Sequence, residues 1–293
     1  MIEADLYSRS NISQRRDAKE IIKEFAPRIH WSLNGRDTLL DIGCGTGDVT
    51  VDFVVPIMPK DYERIVGGDL STEMIEYAKR RYAAMPRLEF RTMDVGKDAL
   101  CKQIRERFHH VTSFYCLHWV QNQKRAAKNI YDLLLPGGDC LLVFLARNPI
   151  FDVYRRMASN PRWAPYMKDA DRFVSPYQDI ENPHKLLKQH LTDAGFEQIH
   201  CETRDRVFVF DGIDILSESV RAVDPFKSRI PIHQHNEYFH DYFEIVRKMG
   251  FVGKTDKNNN EFKEDDSLDG DIKIYSPYTL LIAHARKSSQ IIK

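Results

Sequence analysis

The chain has 293 residues, of which 42% are hydrophobic and 29% charged, and its 43 Lys and Arg balance its 43 Asp and Glu. This length supports a sizeable core, and zero net charge gives no reason to expect nucleic acid or an anionic membrane surface as a partner. The opening MIEADLYSRS lacks the basic start and apolar run of a secretory signal, and no apolar stretch reaches the roughly 18 residues of a membrane span. Cys44, Cys101, Cys116, Cys140 and Cys201 show no paired spacing. That pattern suits reduced thiols in a cytoplasmic protein, not a disulfide framework or a zinc site.

Residues 37–42 form an apolar run ending at Gly43, which predicts a first strand, and the pattern after Gly47 favours a helix with Asp48 near its start. RIVGGDL (64–70) predicts a second strand. The segment after it is helical, with Ser71 as N-cap and Glu73 and Glu76 in the first turns. LEFRTMDV (88–95) reads as a third strand, followed by a charged helix near 98–107. A fourth strand lies within HHVTSFYCLHWV (109–120), then a helix to about 134, a Pro-Gly-Gly turn and a fully apolar fifth strand ending at 146. Residues 147–180 are aromatic and proline-punctuated, more like a lid than a βαβ unit. A helix over 182–196, a long strand over 197–210 and a helical region over 211–252, broken near Pro225 and Pro231, come next. A polar connector (254–271) precedes a last strand at 272–287. Buried strands alternating with helices imply a mostly parallel sheet covered on both faces. No boundary is sharp enough for two independent domains, so residues 1–293 read as one domain. Residues 1–146 form its ligand-binding half, and 147–180 and 211–252 are insertions over the binding edge.

The loop Asp41-Ile42-Gly43-Cys44-Gly45-Thr46-Gly47 lets the backbone approach a ligand and opens a helix whose first N–H groups are free. A dinucleotide fingerprint needs glycine where Asp48 stands, and no Gly-Lys-Ser/Thr follows for a P-loop. A carboxylate there disfavours a pyrophosphate but tolerates a ligand carrying a sulfonium and an amino group. Taken alone, the loop is also what a structural turn requires. Asp69 and Asp94 lie at the ends of the second and third strands, where carboxylates can accept from ribose hydroxyls and from an adenine amino group. Acidic residues at three successive strand ends mark the edge where open α/β sheets bind ligands.

Together with the Leu-Leu-Pro-Gly-Gly turn (134–138), these residues resemble the class I S-adenosylmethionine-dependent methyltransferases. VTSFYCLHWVQN (111–122), Gln14 in SQRRDAKEII and the late SPYTLLIAHARK resemble more closely the insect juvenile hormone acid O-methyltransferases, over nearly the whole chain. The resemblance implies a Rossmann-like seven-stranded α/β fold of order 3-2-1-4-5-7-6 with an antiparallel last strand and helical lid insertions. It implies S-adenosyl-L-methionine held around Gln14, Asp41, Gly43, Cys44, Gly45, Gly47, Asp69, Leu70, Met74, Asp94, Val95 and Cys116. It also implies methylation of the carboxylate of farnesoic acid or juvenile hormone acid, a sesquiterpenoid small molecule, in juvenile hormone biosynthesis. Another small carboxylic acid, or cofactor binding without catalysis, stays open on the residues alone, as does the oligomeric state.

A carboxylate is already ionised near neutral pH, so methyl transfer to it needs alignment and a few fixed donors, not a general base. The resemblance points to Gln14 and Trp119 as those donors. His118 either donates with them or only shapes the pocket. An apolar tail needs apolar walls, and candidates lie in the insertions: Ile150, Phe151, Tyr154, Trp163, Met167, Phe173, Val174, Ile215, Val220 and Phe226. For each, ordinary packing is the competing reading. His233, His235 and His240 lack an arranged acidic partner, so no metal is expected. The acidic residues at 264–266 lack calcium-loop spacing and read as a solvated loop. Arg15 and Arg16 are open between a cofactor carboxylate and an exposed helix face.

Overall fold

In a computed structural model, residues 3–255, 262–264 and 272–289 are described. Two helices, α1 (Ala4–Ser10) and α2 (Ile12–Phe25), precede β1 (Thr38–Ile42), whose five residues are all buried. Next come β2 (Arg64–Asp69), α3 (Thr72–Arg81), β3 (Leu88–Thr92) and the short α4 (Leu100–Gln103). They are followed by β4 (Phe108–Phe114), α5 (Gln123–Leu133) and β5 (Leu134–Arg147). The chain continues through α6 (Pro149–Ala158), α7 (Pro183–Ala194), β6 (Phe196–Asp211), α8 (Ile213–Val223) and α9 (His235–Lys248). It finishes with β7 (Val252–Thr255), β8 (Phe262–Glu264) and β9 (Ile272–Lys287).

Local chemistry sets the boundaries. Ser71 accepts the Met74 N–H at 3.3 Å, Asn122 caps α5 through the Arg125 N–H at 3.0 Å, and Asn148 caps α6 with Pro149 at the first helical position. β4 stops at Tyr115, a non-glycine residue at φ +54° that turns the chain out of the sheet. After Gly47 the expected helix becomes a π turn (Thr50–Val54) and a 3-10 turn (Val55–Ile57), since Pro56 has no N–H to continue a ladder. The helix expected over 98–107 shrinks to α4.

The strands run in the order β3-β2-β1-β4-β5-β9, with β6 pairing along β9 and β7-β8 extending the sheet beyond it. β1 to β5 are mutually parallel, and β9 is antiparallel to both β5 and β6. Setting β7 and β8 aside, this is the expected seven-stranded order with its antiparallel last strand. The connector expected over 254–271 is partly strand, because β7 and β8 pair with each other and β7 with the start of β9. Its remaining residues, 256–261 and 265–271, lie outside the described ones, and with them most of the acidic stretch. Alternate strand residues serve two cores. Leu39, Leu141, Val143 and Ile282 join a cluster with α2, α6, α8 and α9, whereas Leu40, Leu142, Phe144 and Leu281 join one with α5 and α7. Above Thr279, which pairs with Arg147, β9 outruns β5 and rises between β6 and, at its start, β7 as an arm over the carboxyl ends of the parallel strands.

Candidate active site

A cleft of about 610 Å³ opens at those carboxyl ends. Its floor is the glycine loop. Gly43 has φ +73°, and a Cβ there would fall 2.2 Å from the Cys116 Cβ, so only glycine lets β1 and the chain after β4 approach so closely. Asp69 closes one side, its carboxylate accepting the Gly45 N–H at 2.9 Å and the Ser71 N–H at 2.8 Å. Burial raises its pKa despite these bonds. The remaining lone pairs suit a pair of neighbouring hydroxyls. Leu70, 69% exposed, lies beside it, and Asp94 and Val95 line the far end, with Asp94 Oδ1 accepting the Gly96 N–H at 2.8 Å. The cradle therefore fits an adenosine-bearing ligand.

Asp41 lies behind this cleft. Its two oxygens accept from Thr50 Oγ1 at 2.5 Å and Thr112 Oγ1 at 2.8 Å, and burial pushes its pKa up to about 6. Cys44 is buried beneath the loop beside it, and Gly47, at φ +83°, faces Phe90 and Tyr82. Met74 is wholly buried and outside the cleft lining. Asp48 takes no place in the cleft either: it accepts from Ser8 Oγ and Asn11 Nδ2, both at 3.1 Å, and from the Tyr82 hydroxyl at 3.3 Å. These bonds fasten the junction of α1 and α2 to the loop. The Asp48 charge thus docks the N-terminus instead of selecting a ligand.

A second cavity, about 140 Å³ with walls from many elements, is a narrow slot. Gln14, His118, Trp119, Ile150, Phe151 and Val220 line it. No Asp, Glu, Lys or Arg does so among the described residues. His118 is buried between Trp119 (ring centroids 4.6 Å apart) and Phe151 (6.1 Å). Burial lowers its pKa to about 3, so the ring is neutral. The Leu145 N–H donates to its Nδ1 at 3.4 Å, which leaves the proton on Nε2. Gln14 Oε1 accepts from Ser13 Oγ at 2.8 Å, leaving its NH₂ as the free end of a side chain that lines the slot.

Seven of the expected wall residues lie elsewhere. Tyr154 is fully buried against Phe226, with a hydroxyl that has no partner among the described residues. Trp163 donates its indole N–H to Asp241 at 2.8 Å and packs on Tyr238, pinning the 147–180 segment to α9. Phe173 lines the first cleft, and Ile215 is 39% exposed and lines neither cavity. Met167, Val174 and Phe226 are core residues. Arg15 pairs with Asp52 at 2.7 Å, and Arg16 with Asp17 and the Tyr278 hydroxyl, so neither faces the cleft. The sequence reading missed the arm, whose Phe208, Phe210, Ile274 and Ser276 form one wall, and it missed Tyr7 and Tyr115. Strand alternation from Tyr278 to Ile274 carried the first signal. Tyr115 stood at the carboxyl end of the fourth strand, in the run 111–122, whereas Tyr7 had no signal because α1 reaches the site only through the fold.

The sheet order and the cleft define a methyltransferase, and residues 39–138 match the family model described as a methyltransferase domain. Across 293 residues the chain is 42% identical to juvenile hormone acid O-methyltransferase of Drosophila melanogaster, covering 100% of this chain and 94% of that one. It is 40% identical over 278 residues to the Bombyx mori enzyme of the same name, covering 95% and 97%. The chain belongs to the juvenile hormone acid O-methyltransferase family. Its fold also resembles phosphoethanolamine N-methyltransferase 2 of Haemonchus contortus, solved with S-adenosyl-L-methionine. That match has a TM-score of 0.50 and 16% identity, and covers 93% of this chain and 52% of the other.

Proposed function

We propose that the chain transfers the methyl group of S-adenosyl-L-methionine to the carboxylate of a sesquiterpenoid acid, farnesoic acid or its epoxide, juvenile hormone acid. The observation that carries this reading is a narrow slot, without charged lining among the described residues, that meets the cradle cleft at Tyr7, Tyr115, Trp119 and Val223. Along the arm, Tyr278, Ser276 and Ile274 alternate up one face, so this wall runs roughly 13 Å from the junction. An apolar wall of that length suits a long apolar tail better than a compact polar acid. The family's relatives are named for the same acid.

The bound cofactor supplies an electrophilic methyl on sulfur. Asp69 would hold its ribose end and Asp94 its adenine end, and the Gly43–Gly45 backbone would let the chain lie close to it. With it bound, the acid's carboxylate oxygen would take the methyl and the electron pair of the carbon–sulfur bond would remain on sulfur, so the chain's own residues have only to align the two. No proton moves, so no base is needed. Gln14 NH₂, the Trp119 indole N–H and His118 Nε2–H replace the carboxylate's water and orient it. Neutral donors do this without the strong pairing of a Lys or Arg, which would blunt the nucleophile. Alignment of this kind contributes about 7–11 kcal/mol. The chain acts as one domain, with 147–180 and 211–252 covering the site. Its five thiols are free, which fits a reducing compartment such as the cytoplasm. A labelled-methyl assay with farnesoic acid, its 10,11-epoxide, a fatty acid and a short polar acid tests the proposal. Methyl ester from the sesquiterpenoids is expected, and none from either would overturn it.

A further inference from the structure

The methyl group must pass where the two cavities meet, and three of the four residues lining both are aromatic: Tyr7, Tyr115 and Trp119. Tyr7 comes from α1 and lies on the glycine loop, with its Cε1 3.4 Å from where a Cβ on Gly45 would stand. α1 is held there by the Ser8 and Asn11 bonds to Asp48 and by Ser219 Oγ donating to the Ser10 carbonyl at 3.2 Å. Burial and the charges of Asp69 and Asp48 raise the Tyr7 pKa, so its ring carries no charge of its own. Tyr115 is fixed more firmly. Its N–H donates to the Val143 carbonyl at 2.7 Å, and its hydroxyl donates to the fully buried Asp17 at 2.5 Å, a carboxylate that also accepts from Tyr278 at 2.5 Å. Asp17 therefore draws this hydroxyl to one side, and the strained backbone at φ +54° is held by contacts at both ends.

Resting on the proposed cofactor, we infer that Tyr7 and Tyr115 form an aromatic collar around the sulfonium, which lets the protein tell the charged donor from its neutral thioether product. Ring faces attract a cation more strongly than a neutral thioether sulfur, whose contacts with aromatic rings are weaker. Once the methyl has moved, the positive charge is gone and so is that attraction. The collar holds the substrate cofactor and loosens the spent one, and Asp17 is the positioning residue for its Tyr115 half.

Equilibrium binding of S-adenosylmethionine and S-adenosylhomocysteine, measured separately by calorimetry on the full chain, tests this. Tyr7→Phe should keep the ratio of the two affinities. Replacing Tyr7 by mono-, di- and trifluorinated phenylalanine, which drain the ring face at constant shape, should weaken S-adenosylmethionine stepwise. At the end of the series the loss should be about fivefold to tenfold, with the homocysteine product held within about twofold. Tyr7→Leu should lower the ratio in the same direction. Equal loss of both ligands, no dependence on fluorination, or a fall in the ratio for Tyr7→Phe would overturn the collar. Wild-type protein that binds neither ligand would instead overturn the proposed function.

Discussion

The cradle cleft draws the polar groups of its floor from short stretches of chain, a seven-residue loop and the residues at the ends of β2 and β3, already neighbours through parallel pairing, while Tyr7, Trp119, Phe173 and Val223 reach it from farther along the chain. The slot draws Gln14 from α2, His118 and Trp119 from the turn after β4, Phe151 from α6, Val220 from α8 and Phe210 and Ile274 from the arm. One site takes its polar groups from local chain, the other is assembled and apolar. A local site is fixed by backbone conformation, so single side-chain changes in it act all or none. An assembled apolar site spreads its energy over many walls and is tuned by degrees.

The largest effect should come from the loop. Gly43→Ala puts a methyl inside Cys116 at a backbone angle hostile to side chains, so it should cost about 3 kcal/mol or more in stability or cofactor binding. Thermal melting and cofactor titration together measure it. Trp119→Phe comes next, with turnover falling about tenfold to a hundredfold, since a lost hydrogen bond to a charged group is worth about 1.5–3 kcal/mol. Cofactor affinity should hardly change, and equal losses in the two would break the division between the cavities.

His118 tests burial. Its folded pKa of about 3 lies below the unfolded value, so the stability it contributes is present above pH 6.5 and lost as pH falls toward 3. Between pH 7 and pH 5 this loss is about 2 kcal/mol, and His118→Gln should remove that part of the acid sensitivity of the melting temperature. Across pH 6.5 to 8 the wild-type rate should show no His118 ionisation. Phe210→Trp fills the upper slot and should slow the sesquiterpenoid acid about tenfold, by an overpacking cost of roughly 1–3 kcal/mol. Shorter acids, compared by kcat/KM, should be spared. Ile215→Ala, outside both cavities, should change stability by less than about 0.5 kcal/mol and leave the kinetics alone.

Most of the sheet was legible in the sequence because strand and helix periods are local, and Asp69, Asp94, Gly43 and Gly45 were legible because strand ends converge by rule in parallel sheets. Tyr154 and Trp163, expected as pocket walls, turn inward and pack in the core. An aromatic residue in an insertion carries no mark of which face it will bury.

The sequence by itself determined the element order, the polar cradle and the family to which the chain belongs, since these rest on residues close together or on patterns with a fixed period. Tertiary structure decided that Asp48 clamps the N-terminal helices, that Asp17 steadies Tyr115, and that the β6–β9 arm walls the slot. Each of these joins residues far apart in the chain, about 100 between Asp17 and Tyr115 and 261 between Asp17 and Tyr278. No local propensity encodes contacts of that span. They follow only once the hydrophobic faces have chosen their partners.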